Sequence, residues 1–371
     1  MNVLFLSLMA CTPERLVTAA PGTVDTSGDT TDSDDAETGA NADTATTDTG
    51  AVDTSATDTG ATDTGATDTG PADTSDTGAE DTADAAPLQV AVISDLNGSY
   101  GSTTYGSEVH AAVAALVADP PDIVLVTGDM VAGQQSGLDY PAMWRGFHSA
   151  VTTPLTDAGI PVAVTPGNHD ASGYSGFAAE REEYARQWDA RVPAVTMVDA
   201  TNYPFRYAFT VRDTLFVSLD ATTIGPLSSS QRAWVDDVLA TPAAHRIVFA
   251  HVPIHAFTVG RETEILDDDA LEDILVSHGV DLFVSGHHHG YYPGRHGDLR
   301  VVSMACTGSG SRALIGTSDT SPKSILRFTL DTTGIADLDA YGGSRFTSPI
   351  ARSTLPTRLG SGAGAVTRDD L

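Results

Sequence analysis

The chain has 371 residues, of which 41% are apolar, so it can bury the core of one large domain and still carry appendages. Its formal net charge is −31, from 50 acidic and 19 basic residues. Seventeen acidic residues lie between Asp25 and Asp84, where there is no Lys or Arg, and the rest of the chain has 33 acidic against 19 basic residues. This balance argues against nucleic acid and against an anionic membrane surface as partners.

The first predicted feature is a short apolar run over residues 3–9, just before Cys11. The sequence Leu8-Met9-Ala10-Cys11 resembles a bacterial lipobox, in which the cysteine is lipidated and becomes the mature N-terminus. This predicts a protein of the cell envelope or cell exterior whose only membrane contact is the lipid anchor at Cys11. The run is short for a signal peptide and no Lys or Arg precedes it, so an ordinary N-terminal strand is the alternative.

Residues 12–87 form a low-complexity segment of Thr, Asp, Ala, Gly and Ser. The sequence Ala-Thr-Asp-Thr-Gly begins at residue 56 and is repeated at residues 61–65 and 66–70. Because the segment has almost no large apolar side chains, burial cannot offset the entropy lost on ordering, and we predict a disordered tether. Calcium binding by the Asp residues and O-glycosylation of the threonines are alternatives, although the repeat lacks the Gly spacing of a calcium-binding solenoid.

From Leu88 onward, strand and helix signals alternate, and the rhythm becomes strand–strand after about Trp188. The predicted strands are 90–94, 123–127, 162–165, 205–210, 215–220, 247–250, 282–285, 299–304, 325–330 and 335–340. The predicted helices are 108–117, 143–151, 177–188, 228–239 and 268–277. Helices that flank two mixed sheets give a four-layer α/β/β/α sandwich over residues 88–341, followed by an irregular tail over 342–371.

Polar side chains follow five of these apolar strands, at the point where each strand ends. They are Asp95-Leu96-Asn97, Gly128-Asp129, Gly167-Asn168-His169-Asp170, His251 and Gly286-His287-His288-His289. An α/β sheet collects its ligands at the carboxyl ends of its strands, so we expect one site. Oxygen and nitrogen donors in this number suit divalent metals, and exceed what one tetrahedral ion needs. In extended backbone alternate side chains share a face, so His287 and His289 should bind while His288 should not.

These blocks, in this order, resemble the calcineurin-like metallophosphoesterase family, whose blocks run D-x-H, G-D, G-N-H-D/E, H and G-H-x-H. The resemblance spans roughly Leu88 to Tyr341. It implies an α/β/β/α sandwich and hydrolysis of a phosphoester substrate by a hydroxide held between two divalent metal ions, which could be Mn, Fe, Zn or Mg.

The resemblance also implies a role for each residue. The first metal would take Asp95, Asp129 and His289, with Asn97 as a weak fourth ligand if it binds at all. The second metal would take Asp129, Asn168, His251 and His287, so that Asp129 bridges the two. His169 would line the site without binding metal and assist the phosphate or its leaving oxygen, and Asp170 would either orient that imidazole or cap the loop.

One block departs from the family, because the first should end in His and this chain has Asn97. Purple acid phosphatases also lack that His, but they place a Tyr three residues after the second-block Asp, where this chain has Ala132. Tyr100 or Tyr105, in the Gly-rich loop that follows, could reach the first metal instead, or the loop is a plain turn. Asn97 could also mark an inactive metal-binding surface lipoprotein. Oligomeric state and the role of His255, near His251, stay open.

Overall fold

Two β-sheets carry the fold of residues 86–371, which are the residues that this computed structural model describes. Cys11, the lipobox-like sequence and residues 12–85 of the predicted tether lie outside them. Six helical segments of the described chain match or extend predicted ones, and the strands behind the five polar blocks are all present. No helix among residues 86–371 combines the length and the apolar character that a bilayer crossing requires.

The strands run as follows: β1 Leu88–Ile93, β2 Ile123–Val126, β3 Val162–Val164, β4 Thr196–Asn202, β5 Arg206–Val211, β6 Thr214–Ser218, β7 His245–Ala250, β8 Leu282–Ser285, β9 Tyr292–His296, β10 Leu299–Ser303, β11 Ile325–Asp331, β12 Gly334–Gly342, β13 Ser348–Pro349, β14 Arg358–Leu359 and β15 Val366–Arg368. The six-stranded sheet has the order β13-β12-β11-β1-β2-β3. The nine-stranded sheet has the order β14-β15-β9-β10-β8-β7-β6-β5-β4. Strands β1, β2 and β3 are parallel, as are β6, β7, β8 and β10, so in each sheet several carboxyl ends lie at one edge.

The helices are α1 Ser107–Ala118, α2 Tyr140–Phe147, α3 Thr153–Asp157, α4 Asn168–Ala171, α5 Ala178–Asp189, α6 Ser229–Leu239 and α7 Asp269–Ser277. A π-helical turn, His148–Thr152, joins α2 to α3, so the predicted helix 143–151 continues further than its pattern indicates. Ser228 caps α6 by accepting from the Gln231 amide, and Asp268 caps α7 by accepting from the Leu271 amide. Such caps satisfy N–H groups that the first turn leaves free.

Three apolar clusters confirm the predicted four-layer order. One packs α1, α2 and α5 against the six-stranded sheet, and a second packs α6 and α7 against the nine-stranded sheet. The third lies between the two sheets and includes Val90, Phe216 and Val284. Strands β1, β2 and β8 read as continuous apolar runs because both of their faces are covered.

Hydrogen bonds also join the two sheets directly. Tyr207 on β5 donates its hydroxyl proton to the Val164 carbonyl at 2.7 Å and accepts from the Val164 amide at 2.9 Å. Since β3 is the edge strand of the six-stranded sheet, this hydroxyl satisfies backbone groups that no further strand covers. Thr165 adds a second link by donating to the Leu219 carbonyl at 2.7 Å.

The C-terminal residues differ from the prediction of an irregular tail over 342–371. Strand β13 pairs with β12, and β15 pairs with both β14 and β9, so this segment extends both sheets. These strands have two or three residues each, too few for a hydrophobic period to be visible in the sequence. Cys306 is buried after β10, and burial raises the pKa of its thiol to about 11.

Candidate metal centre

The fold brings all seven predicted metal ligands to one place between the two sheets. Asp95, Asp129 and Asn168 follow β1, β2 and β3, while the histidines follow β7 and β8. Nε2 of His289 lies 3.1 Å from Oδ1 of Asp95. Nε2 of His251 lies 3.3 Å from Oδ1 of Asp129 and 2.8 Å from Oδ1 of Asn168. Ligand atoms of Asp95, Asp129 and His289 all lie within 4.8 Å of one another.

The backbone at four of these residues is left-handed. The φ angles are 50° at Asp95, 52° at Asp129, 65° at His287 and 54° at His289. Among residues 86–371 only eight non-glycine residues have positive φ, so half of them are predicted ligands. Such conformations are uncommon for side chains with a Cβ, and they cluster where function requires them.

These φ values also correct the geometric reason given for the His tract. His287 and His289 are not extended, so simple alternation along a strand does not orient them. A tight turn, in which the His288 amide donates to the Gly286 carbonyl at 2.7 Å, separates the three rings instead. His288 Nδ1 accepts from the Phe257 amide at 3.1 Å, and its Nε2 donates to the Glu264 carbonyl at 3.0 Å. His288 therefore has both ring nitrogens occupied away from the predicted ligands.

Two motif glycines allow the ligand loops to approach each other. A Cβ at Gly167 would lie 2.1 Å from the amide nitrogen and 2.3 Å from Oδ1 of Asp129. A Cβ at Gly286 would lie 2.3 Å from Oγ of Ser94 and 2.9 Å from Oδ2 of Asp95. Backbone approach at this range is open only to glycine. The glycines of the third and fifth blocks thus position the carboxylates of the first and second.

A shared hydrogen-bond pattern turns two histidines toward the carboxylates. Nδ1 of His251 donates to the Thr127 carbonyl at 2.8 Å, and Nδ1 of His289 donates to the Gly310 carbonyl at 2.8 Å. In both rings this leaves Nε2 directed at an aspartate. Outer partners of this kind fix the tautomer of metal-binding histidines.

Charge is tightly balanced around Asp129, which is 2% exposed. Burial alone would raise its pKa, but the charges of His251 and His169 and their hydrogen bonds hold the pKa well below its usual range. Burial would likewise lower the pKa of His251, but the Asp129 carboxylate raises it to about 9. The buried Asp129 carboxylate thus needs a positive charge beside it, which His251 supplies here. A divalent cation can supply the same charge.

The pKa of His287 shifts in the opposite direction from that of His251. Burial and the neighbouring His251 and His288 rings lower its pKa well below the ordinary value, so the ring is neutral and can act as a donor to a metal. Its Nε2 lies 3.1 Å from Oε2 of Glu264, a residue that the sequence did not single out. Glu264 is also paired with Arg261.

Asn97 lies in the pocket but its amide oxygen already has a protein partner. The residue is 6% exposed and lines the same cavity as Asp129 and His289. The Ser309 hydroxyl donates to Oδ1 of Asn97 and lies 3.0 Å from its backbone carbonyl oxygen. An amide oxygen has two lone pairs, so this hydrogen bond leaves room for one metal contact.

His169 faces the cavity, whereas Asp170 does not. The His169 amide donates to Oδ1 of Asp129 at 2.9 Å, and ring Nδ1 donates to the Gly133 carbonyl at 3.1 Å, so Nε2 is available to a substrate. Asp170 accepts from the amides of Met130, Val131 and Gly167 at 2.8, 2.8 and 3.0 Å.

These contacts decide between the two roles expected of Asp170. Burial and the Asp129 charge raise its pKa to about 8, against backbone N–H groups that favour the anion. No hydrogen bond joins Asp170 to the His169 ring in the described chain, so the orienting role is not supported and the loop cap is.

The two tyrosines considered as replacements for the missing His differ in where they lie and in what they contact. The Tyr105 hydroxyl donates to the Met130 carbonyl at 2.7 Å, so it is used within the fold. Tyr100 is 57% exposed and lines the cavity, with its ring centre 5.5 Å from that of His169. The position of Ala132 on the same wall agrees with the absence of a ligand tyrosine there.

A cavity of about 580 Å³ opens beside the candidate ligands. Two arginines on its wall, Arg261 and Arg312, were not predicted, because they lie in loops that no strand signal marks. Nε of Arg312 is buried without a hydrogen-bond partner. Guanidinium groups on the wall of this cavity suit an anionic ligand, since they can bind phosphate oxygens in a bidentate manner.

Sequence and structure comparisons agree with this geometry. Residues 88–291, more than half of the chain, match the sequence profile of the calcineurin-like phosphoesterase family. Comparison with curated protein sequences gives no match.

Solved structures give the same fold. A purple acid phosphatase from yellow lupin (Lupinus luteus) seeds aligns with a TM-score of 0.54 and 17% identity, over 69% of this chain and 52% of the plant protein. The present chain thus spans about half the length of that enzyme. An anchor protein of the Plasmodium inner membrane complex aligns with a TM-score of 0.51 and 18% identity, over 71% of this chain and 87% of its own. A dimetal phosphatase from Danio rerio aligns with a TM-score of 0.46 and 15% identity, over 67% and 96% of the two chains.

At these identities the plant and Plasmodium matches, whose TM-scores exceed 0.5, show a common fold, and the sequence profile carries the family assignment. The α/β sandwich of residues 86–371 and the ordered blocks at its strand ends, from Asp95 to His289, have the family's arrangement. The chain belongs to the calcineurin-like phosphoesterase family.

Proposed function

We propose that this chain hydrolyses phosphoester bonds with the help of two divalent cations held between its two sheets. The convergence of Asp95, Asp129 and His289 carries the proposal, because three ligand atoms within 4.8 Å at the strand ends fit one cation. Nε2 of His251 lies close to oxygens of both Asp129 and Asn168, which supports a second cation and a bridging role for Asp129.

The donor sets differ between the two positions. Asp95, Asp129 and His289 would hold one cation, with Asn97 beside them; Asp129, Asn168, His251 and His287 would hold the other. When bound, the two cations supply water activation near neutral pH and neutralise charge that develops on the phosphate. Mixed imidazole and carboxylate donors suit Mn, Fe or Zn, and the amide oxygens keep Mg within range.

His169 is proposed as the residue that serves the leaving group. Its Nδ1–H is fixed by the Gly133 carbonyl, so the ring can present only Nε2 to the cavity. A protonated Nε2 at this place could donate to the departing oxygen, which typically contributes about 10²–10⁴-fold to the rate. Tyr100 packs beside the ring and would limit its rotation.

Arg261 and Arg312 are proposed to bind the phosphate oxygens that the cations do not reach. Both line the cavity that holds His169 and the candidate ligands. The chain as a whole is acidic, so two arginines on one cavity wall favour a substrate that carries more than one negative charge. This supports a phosphomonoester over a neutral or singly charged ester.

The test is hydrolysis of p-nitrophenyl phosphate and of its bis-ester by the full chain with Mn²⁺, before and after chelation. We expect activity that the chelator removes, and a faster reaction with the monoester. His169→Ala should keep its metal content and lose roughly 10²–10⁴-fold on an ester with a poor leaving group. Asp236→Asn, at an exposed aspartate paired with His278, is the matched control and should not change the rate.

Two results would contradict the proposal. A metal-loaded chain that hydrolyses neither ester would leave the inactive metal-binding surface lipoprotein as the better description. Loss of both metals from the His169→Ala chain would mean that this residue is a ligand and not an acid.

We also propose an envelope or extracellular location with a lipid at Cys11. The proposal is supported by the Leu8–Cys11 sequence alone, since residues 1–85 lie outside the described part of the chain. Cys11→Ser should move the protein from the membrane fraction to the soluble fraction of its native host. Unchanged membrane association would overturn the assignment.

A further inference from the structure

A second cluster of metal-binding side-chain types lies on the nine-stranded sheet. His255 follows β7, Glu272 lies on α7 and His296 ends β9. One ligand atom from each lies within 4.8 Å of the other two, the same closeness that Asp95, Asp129 and His289 show. His255 is 8% exposed and Glu272 is 9% exposed, so two of the three are buried. None of the five motif blocks contains any of these residues.

Within this cluster His296 forms a hydrogen-bonded pair with Glu272, but the contact between His255 and Glu272 is not an ordinary ion pair. Nε2 of His255 lies 3.0 Å from Oε2 of Glu272, yet it is buried and makes no hydrogen bond, so its in-plane direction misses that oxygen. The His255 and His296 rings are only 4.0 Å apart between centres. A histidine that served only to neutralise Glu272 would align its N–H with the carboxylate, since hydrogen bonds weaken steeply away from linearity.

His296 is held in the manner of a metal ligand. Its Nε2 donates to the Ala363 carbonyl at 2.6 Å, which leaves Nδ1 facing Glu272 at 2.6 Å. At 2.6 Å the contact between Nδ1 of His296 and Oε1 of Glu272 is a hydrogen bond from a ring that carries both protons. A metal ion would replace the Nδ1 proton, and the Nδ1 and Oε1 atoms would move apart to bind it. A backbone carbonyl on the outer nitrogen is the usual partner of a ligating imidazole.

We propose that His255, Glu272 and His296 bind one Zn²⁺ ion. Two imidazole nitrogens and one carboxylate oxygen form a known zinc donor set, in which water completes the tetrahedron. Two imidazoles among three ligands disfavour Mg²⁺ and Ca²⁺, which prefer oxygen. This site is separate from the proposed phosphoesterase centre and goes beyond that function.

The role of the ion follows from the elements that it joins. It links the loop after β7, helix α7 and strand β9, and through Ala363 it reaches the turn between β14 and β15. These elements come from distant parts of the sequence, and the β14 and β15 strands are too short to hold by themselves. The zinc therefore stabilises the C-terminal end of the nine-stranded sheet and takes no part in hydrolysis.

The experiment compares zinc content in full chains that also carry Asp129→Asn, which lowers binding at the other centre. After dialysis against Zn²⁺ and then buffer, the Asp129→Asn chain should hold one more Zn²⁺ than the chain with both Asp129→Asn and Glu272→Gln. The same Zn²⁺ should raise the unfolding temperature of the first chain by more than that of the second. His278→Gln removes a neighbouring histidine–carboxylate pair, between His278 and Asp236, and serves as the control that should keep the ion.

Equal zinc content with and without Glu272→Gln would overturn the proposal. So would an equal rise in unfolding temperature, because the ion would then bind elsewhere. If the Glu272→Gln chain does not fold, as judged by circular dichroism, His296→Gln at the more exposed ligand gives the same comparison. These outcomes do not depend on phosphoesterase activity.

Discussion

The two sheets contribute different chemistry to the candidate metal centre. The six-stranded sheet supplies oxygen donors, from Asp95, Asp129 and Asn168 after β1, β2 and β3. The nine-stranded sheet supplies nitrogen donors, from His251, and from the His pair that follows β8. Neither sheet alone offers a mixed donor set, so the proposed centre exists only where the sheets meet.

This division means that sheet packing and metal binding are coupled. The apolar cluster between the sheets sets the distance between the oxygen and nitrogen donors, and Tyr207 fixes the edge of β3 against β5. A cation held by both halves would in turn stabilise the packed state, because it binds the folded chain and not the separated halves. Substitutions in the oxygen donors of one sheet and in the nitrogen donors of the other should therefore change metal content in different ways.

The largest expected effect is that of Asp129→Asn, on the oxygen side. Asp129 contacts the His251 ring, the His169 amide and the Asp95–His289 group, and an amide cannot bridge two cations with two anionic oxygens. We expect loss of both metals and of activity. His287→Asn, on the nitrogen side, should empty only one position. Metal analysis after dialysis distinguishes them, and equal losses from both variants would contradict the bridging role.

Asn97 sharpens the comparison, because as a ligand it would place an oxygen donor where the family has a nitrogen. Asn97→His should raise the affinity for the first cation by about tenfold and shift the site's preference toward Zn²⁺. Asn97→Ala should lower that affinity by about tenfold. Ser309→Ala removes the hydroxyl that occupies Oδ1 of Asn97 and is the matched variant. Dissociation constants for Mn²⁺ and Zn²⁺ measure the change, and identical constants in all variants would make Asn97 a turn residue only.

Tyr207→Phe breaks one of the direct links between the sheets without touching a predicted ligand. The lost hydroxyl leaves the Val164 amide without its partner at a buried edge, while the Val164 carbonyl keeps the Ser218 hydroxyl at 3.3 Å. An unsatisfied buried amide costs roughly 1–3 kcal/mol of unfolding free energy. Tyr292→Phe is the control and should cost less, because within residues 86–371 the Tyr292 hydroxyl bonds to the Pro356 carbonyl alone. Urea unfolding gives both values, and equal costs would show that the link between sheets has no special weight.

The smallest effect concerns the helical layer over the six-stranded sheet. Burial and the charge of Arg191 lower the pKa of His148 from 6.5 to about 4, and the ring packs against Trp144 and Trp188. The unfolded chain then binds the proton more readily, so stability is complete above pH 6.5 and falls as the pH drops toward 4. Between pH 7.5 and 5.5 we expect a loss of about 1 kcal/mol, absent from His148→Gln. A parallel pH dependence in both chains would contradict this.

Much of this fold could be predicted because the strands that matter are buried on both faces. Residues 90–93, 123–126 and 247–250, which precede Asp95, Asp129 and His251, are all apolar, and such runs are visible in a single sequence. Strand β9 was missed because its sequence contains Pro293 and Gly294, which normally argue against a strand. Strand β4 was missed because it is an exposed, polar edge strand.

The residues of the candidate site likewise fall into those that follow buried strands and those that lie on loops. The predicted ligands stand out in the sequence because they closely follow buried strands. Glu264, Ser309 and Arg312 lie near them from loops, and no local pattern fixes where a loop lies. His255 was noted only for its closeness to His251 in sequence. Its partner Glu272 lies on a helix, so the contact needed the tertiary structure.

The left-handed backbone at Asp95, Asp129, His287 and His289 has a consequence for the evolution and engineering of this chain. Each such residue costs about 1 kcal/mol relative to an ordinary conformation. The four together therefore lower the free energy of unfolding by about 4 kcal/mol. That penalty falls on the protein whether or not a cation is bound. Selection for thermal stability alone should therefore replace these residues with glycine and lose the centre, and only selection for the chemistry keeps them.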